Sequence, residues 1–203
     1  MEEIGLFPLP LVLVPGEQTP LHVFEPRYKE LIGECLDQGQ PFGLVLADDE
    51  GMRDVGTVAT VVEVLEQFED GRLNVVVEGQ SRFKLLELTE GRTFATAEVD
   101  TVEDEGDEPT AEERERCLAA YDRVVEAAAA ELDDFDRAGD FISFQIVSRI
   151  DLGTEVKQAL LETRSERERV LRLAELLDGA AEAVAREREV RDRASGNGRV
   201  EAL

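Results

Sequence analysis

Between Val102 and Thr110 the chain changes its period, and that change limits what it can fold into. Before it, apolar residues come in short alternating runs separated by Pro, Gly and Asp; after it, they recur every three or four residues. The joint itself, residues 103–109, reads EDEGDEP, charged and rich in helix and strand breakers. A chain so divided is an α+β protein. A β-rich part is expected over 1–105, a helical part over 110–191, and a disordered tail over 192–203.

In the first part, residues 9–14 (LPLVLV) form an apolar run that ends at Pro15 and Gly16 and reads as a strand. A second extended piece covers 18–23. Pro26 then opens a helix to about Gln38, standing at the first helical position, where a missing N–H is harmless. Tyr28, Leu31, Ile32, Cys35 and Leu36 repeat at helical spacing and define its inner face. A strand is expected over 42–47, and an exposed acidic loop from Asp48 to Asp54. Residues 56–66 and 72–79 alternate around EDGR at 69–72, which predicts a hairpin with a type I′ turn. Strands at 82–88 and 94–102 follow. Six or seven short strands with one early helix predict a small closed or half-closed barrel.

In the helical part, Thr110 and Glu113 make a capping-box pattern before a stripe of Leu118, Tyr121, Val125, Ala128 and Leu132. A second helix is expected from near Asp140, carrying Phe141, Ile142, Ile146, Val147 and Ile150. A short third covers about 154–163. The fourth starts at Ser165, with Glu168 completing another capping-box pattern, and runs through Leu173 and Leu177 toward Arg191.

Charge excludes more than it selects. With 47 acidic against 22 basic residues the net charge is −25, which repels phosphate backbones, so nucleic acid is not an expected partner. Only Lys29, Lys84 and Lys157 are lysines. The acidity fits adaptation to high salt and equally an ordinary acidic protein of a GC-rich genome. No run of about 18 apolar residues occurs, so no membrane span is expected. The acidic start, Met1-Glu2-Glu3, is unlike a secretory signal, and the cytoplasm is the expected compartment. Cys35 and Cys117 match no metal-ligand spacing and read as reduced, buried thiols.

Several stretches together resemble a known family. Residues 6–16 (LFPLPLVLVPG) and 20–28 (PLHVFEPRY) closely resemble the amino-terminal substrate-binding domain of Lon ATP-dependent proteases. In the same order follow 42–46 (FGLVL), 56–59 (GTVA), 77–83 (VEGQSRF), 142–144 (ISF) and 157–163 (KQALLET). The resemblance implies a pseudo-β-barrel similar to the PUA fold, followed by a C-terminal α-helical bundle, and a role in capturing polypeptides. In full-length Lon proteases an ATPase domain and a serine–lysine peptidase domain follow. No G-x-x-x-x-G-K-[ST] phosphate loop occurs here, so a Lon-like, or peptidase S16-like, protein without either activity is expected.

No residue carries an expected catalytic, cofactor or metal role. Ser81 and Lys84 spell S-x-x-K, a spacing that shares a face on a helix but places side chains on opposite faces of a strand. His22 has no nucleophile or ligand set near it in sequence. The acidic clusters at 48–50 and 103–108 lack the spacing of a calcium loop. Phe24-Glu25-Pro26-Arg27-Tyr28 is the most suggestive motif. Glu25, Pro26 and Arg27 read as architecture, with Phe24 and Tyr28 bracketing the helix start as a hydrophobic staple. A polypeptide site needs exposed apolar surface, for which position nominates Leu9, Leu11, Phe24, Tyr28 and Met52.

The function expected is therefore a non-catalytic module that captures unfolded or specific protein clients. The alternatives are an adaptor presenting one partner to a protease or ATPase complex and a cryptic hydrolase. The sequence leaves oligomeric state open.

Overall fold

The computed structural model describes residues 2–130 and 135–196, which divide into two compact units. One unit joins Met1–Glu105 with Phe144–Arg164; the other joins Gly106–Ser143 with Ser165–Leu203.

The first unit holds seven strands among the described residues: β1 (Glu2–Leu9), β2 (Gln18–Val23), β3 (Phe42–Asp48), β4 (Gly51–Met52), β5 (Val55–Gln67), β6 (Leu73–Thr89) and β7 (Thr96–Val102). Helix α1 (Pro26–Gln38) lies between β2 and β3 in the chain. β1 pairs β7, β7 pairs β6, β6 pairs β5 and β5 pairs β3, all antiparallel. β3 then pairs β1 in parallel, so the ladder returns to its start and leaves these five strands as a ring. β2 lies outside the ring, against the first half of β6.

Alternation sorts the apolar side chains into two cores. Phe7, Phe42, Leu44, Val75 and Val77 join Tyr28, Leu31, Ile32 and Cys35 of α1 in the larger one. Ile4, Leu6, Val45, Phe83, Ala97 and Val99 form the smaller. β3 feeds both, which is why its sequence FGLVL is apolar without alternation.

Of the apolar run 9–14, Leu9 ends β1 and Pro10 is exposed; the buried part, Val12 to Val14, is not a strand. Val12, Leu13 and Val14 form an irregular buried strap, with Leu13 in the larger core. A buried strap needs partners for its backbone. Thr57 Oγ1 donates to the Leu13 carbonyl at 2.5 Å, and Gly16 N–H and Gly79 N–H bind across to Gly79 and Glu17 carbonyls at 2.8 and 2.9 Å. A Cβ on Gly79 would stand 2.3 Å from the Val14 carbonyl oxygen, so only glycine admits the strap.

Two further expectations change. The strands expected at 72–79 and 82–88 are one continuous β6 of 17 residues. The hairpin at 69–72 is present, but only Gly71 has positive φ (81°), so the turn is not type I′. Gly71 N–H donates to the Phe68 carbonyl and Phe68 N–H to the Arg72 carbonyl, both at 2.9 Å, the pattern of a type I turn closed by a left-handed glycine.

Helix α4 (Thr154–Glu162) belongs to this unit. It is tied to β6 by Arg82, only 5% exposed, which donates to the carbonyls of Leu161 and Thr163 at 2.9 and 2.8 Å and pairs with Asp104. Lys157 adds a shielded ion pair to Glu17 at 2.6 Å.

In the second unit α2 (Ala111–Ala128) packs along α5 (Glu166–Gly196). Its buried face is Cys117, Leu118, Ala120, Tyr121 and Val124; of the expected stripe Val125 is half-buried, Ala128 is exposed, and Leu132 lies outside the described residues. Thr110 and Glu113 form the complete capping box. Ser165 caps α5 by accepting from Glu168 N–H at 3.0 Å. Arg169, fully buried, binds Ser143 Oγ at 2.9 Å and Glu166 at 2.6 Å, and Glu166 also accepts from Ser143 N–H. The helix expected from Asp140 is shorter, α3 (Ile142–Val147), because Phe141 takes a left-handed φ of 50°. α5 continues past Arg191 to Gly196; of the tail expected over 192–203, residues 197–203 lie outside the described residues.

Candidate functional site

Three strands meet at the turn end of the β5–β6 hairpin. There β6 has β2 on one side and β5 on the other. Register puts Pro20, Val76 and Glu63 in one cross-strand row and His22, Asn74 and Glu66 in the next. Leu21, Val23, Leu73 and Val75, which alternate with them, are buried, so the two rows lie on the outer face.

That face carries an aromatic ladder. Asn74 Nδ2 donates to Glu66 Oε2 at 3.1 Å, which leaves its Oδ1 to accept from His22 Nδ1 at 2.6 Å. The His22 ring is thereby held upright on the sheet. Phe24, two residues on, stacks on it with centroids 5.8 Å apart and is 58% exposed. Phe68 meets the imidazole edge-on at 6.2 Å, and the Arg72 guanidinium lies 4.7 Å over the Phe68 ring. The expected staple is therefore not made: Phe24 turns to His22, while Tyr28 stacks on Phe7 at 4.1 Å.

Beside the ladder runs a free edge. Beyond Val61 the side of β5 away from β6 has no strand partner among the described residues. Along this stretch two of the three register shifts between β5 and β6 occur, between Val61 and Glu63 and between Val64 and Glu66. The residues left out of register, Val62 and Leu65, are 47% and 54% exposed. Bulges at an edge twist it out of plane and re-aim side chains. Here they turn apolar groups outward.

The α1 entrance beneath is built as architecture. Glu25 is the N-cap residue without a side-chain capping bond, Pro26 stands in the first turn, and Arg27 pairs with Glu25 at 2.8 Å while its guanidinium lies 4.5 Å over Tyr28. Burial pushes the Tyr28 phenol up. The Asp70 carboxyl, at the hairpin tip, is held below the usual carboxylate range by the Arg72 backbone amide first and its side chain next.

A second concavity opens over the other half of β6, a cleft of about 950 Å³. The cross-strand row Val55, Lys84, Asp100 lines it together with Met52, Leu86 and Glu162. Its charges are of both signs and largely engaged. Arg53 holds Asp48, Glu50 and Glu155, and Arg164 binds the Glu103 carbonyl.

The five nominated residues thus separate. Leu9 and Leu11 pack partly buried against the larger core that holds Tyr28. Met52 packs against the smaller core and lines the cleft, and Phe24 alone stands out on the sheet face. Ser81 and Lys84 sit three apart on one unbroken strand. The residues that sequence reasoning misses are Val62, Leu65 and Phe68. Their signal is present all the same: in 58–68 (VATVVEVLEQF) the apolar residues stop alternating, as a doubly bulged strand requires.

The family model for the ATP-dependent protease La (LON) substrate-binding domain matches residues 3–179. The chain belongs to the Lon substrate-binding domain family. Among curated Lon family relatives it is 30% identical over 184 residues to Lon protease 2 of Myxococcus xanthus, and 33% identical over 184 residues to the Lon protease of Anaeromyxobacter dehalogenans. In both cases the match takes 82% of this chain but 22% of the relative, at its amino-terminal end. The Lon protease and ATPase domains are not matched. Among solved structures, a Lon N-terminal domain protein of Xanthomonas campestris superimposes with a TM-score of 0.67 at 24% identity, over 85% of this chain and 97% of that one. The N-terminal domain of a Mycobacterium avium complex Lon protease gives 0.68 at 18% identity, over 87% and 98%. These likenesses establish the Lon N-terminal fold. No helix among the described residues is long and apolar enough to cross a membrane.

Proposed function

We propose that this protein is a polypeptide-binding module without chemistry of its own, which captures unfolded or extended protein clients on the outer face of β2, β6 and β5. The observation that carries the reading is the exposed aromatic ladder. Phe24 stands on a hydrogen-bonded imidazole beside Phe68, with Val62 and Leu65 at the adjoining free edge. Exposed apolar groups on a rigid sheet, in a family described as substrate-binding, are what capture of an extended chain requires. The PUA-like reading of the strand ring and the helical bundle go with the same family. Work in a reducing cytoplasm is supported by two buried, unpaired thiols.

The test is titration of a permanently unfolded model protein, followed by calorimetry. Saturable binding is expected, weakened about tenfold by Phe24→Ala, the loss of one aromatic anchor. No heat at high concentration of either partner would end the proposal. A second reading, presentation of one partner to a protease or ATPase complex, draws support from relatives in which this region opens a protease. It predicts one stoichiometric partner and little affinity for generic unfolded chains.

A further inference from the structure

Charge around the aromatic ladder is one-sided. Glu63 and Glu66 stand in the two outer cross-strand rows, Glu78 in the row with Gln18 and Thr60, and Glu69 in the hairpin turn. None of these four has a Lys or Arg within ion-pair distance among the described residues; Glu66 and Glu78 bind only amide groups. The cations nearby are already committed. Arg27 is paired with Glu25 at 2.8 Å, Arg72 with Asp70 at 2.8 Å, and Lys29 holds the Asp70 carbonyl at 3.0 Å.

We propose that the segment received on this face is extended and cationic, with apolar residues alternating with Lys or Arg, and that it is read through side chains and not by addition of a strand to the edge. The inference rests on the polypeptide-binding reading above and names the client chemistry. Three observations carry it. Four carboxylates without a cationic partner favour incoming positive charge and disfavour acidic segments. Phe24 offers an exposed ring of the kind that binds a cation, as Phe68 beside it already binds the Arg72 guanidinium. The bulges at Val62 and Leu65 break the ladder register, so a long run of backbone pairing along β5 is not available, whereas alternating side chains reach both the apolar groups and the carboxylates.

The experiment uses the full chain and three labelled peptides with the same apolar positions, whose alternate positions carry Lys and Arg, Glu, or Ser. Fluorescence anisotropy is expected to rank them in the order basic, neutral, acidic, with about a tenfold step between basic and acidic that shrinks in about molar KCl. Bulk charge is controlled by Glu63→Gln with Glu69→Gln, which changes the net charge of −25 by only two and leaves the Glu66–Asn74–His22 hydrogen bonds in place. That pair is expected to remove most of the preference while the Ser peptide binds as before. Glu63→Lys with Glu69→Lys is expected to invert it. Equal binding of basic and acidic peptides, or a preference untouched by either pair of substitutions, overturns the proposal but leaves capture by apolar groups standing. Binding of none of the three removes the underlying reading, and the proposal with it. Protection of the face by self-association, read by sedimentation, also overturns it.

Discussion

Gly79 and Arg82, three positions apart on β6, each do something no neighbour can replace. Gly79→Ala sets a methyl against the Val14 carbonyl and forces the strap off β6. A loss of about 2 kcal/mol in urea unfolding is expected from overpacking of this kind. Arg82→Met leaves Asp104 and two carbonyls shielded without their donor, and about 3 kcal/mol is expected. Neither role is legible in the sequence. A glycine inside a strand signals close approach without saying of what, and an arginine among alternating residues reads as surface until a helix comes down on it. The cysteines are legible. Burial pushes the Cys35 thiol up to about 11 and Cys117 up to about 12. At pH 8 the Cys35 thiolate is then about one part in a thousand, so a thiol reagent is expected to label both residues only as the protein unfolds.

At the scale of elements, those whose signal is local form where the sequence places them. α1 runs from Pro26 to Gln38 because proline fixes its start and Gly39, left-handed at φ 65°, closes its end. The Thr110 capping box is a four-residue device, so it is written entirely in its own segment. Thr110→Ala is expected to lower stability by about 1 kcal/mol. The Arg167 side chain first, and the Thr110 backbone amide next, hold the Glu113 carboxyl at about 2 against an ordinary 4.5. Because the folded value is the lower one, the stabilisation is present above about pH 4.5 and lost as pH falls toward 2. NMR titration of the Glu113 side chain checks this directly. Elements set by distant partners are harder to read from the chain. The run 9–14 carries an apolar signal for burial, which strand and strap share. The exposed patch on β5 escapes notice because a bulge appears in sequence only as broken alternation.

For the molecule as a whole, charge has the longest reach. At −25 over 203 residues, self-repulsion opposes compaction wherever salt does not screen it. The melting temperature is expected to rise by several degrees between low and about molar KCl. A flat response would show that local ion pairs such as Arg167 with Glu113 already balance the field, and would tell against adaptation to salt. The same salt is expected to weaken capture of cationic clients while it strengthens the fold, two opposite trends from one charge. Family and fold class are visible from residues 6–28 onward, whereas the proposed place of capture is not, since the proposal turns on which strand ends unpaired. The most direct test of that place is amide chemical-shift mapping with a basic apolar peptide. Perturbations are expected over 18–24, 60–68 and 72–78, on β2, β5 and the first half of β6. Perturbations confined to Met52–Val55, Lys84, Leu86 and Asp100–Glu103 would place the client in the cleft instead and contradict the proposal.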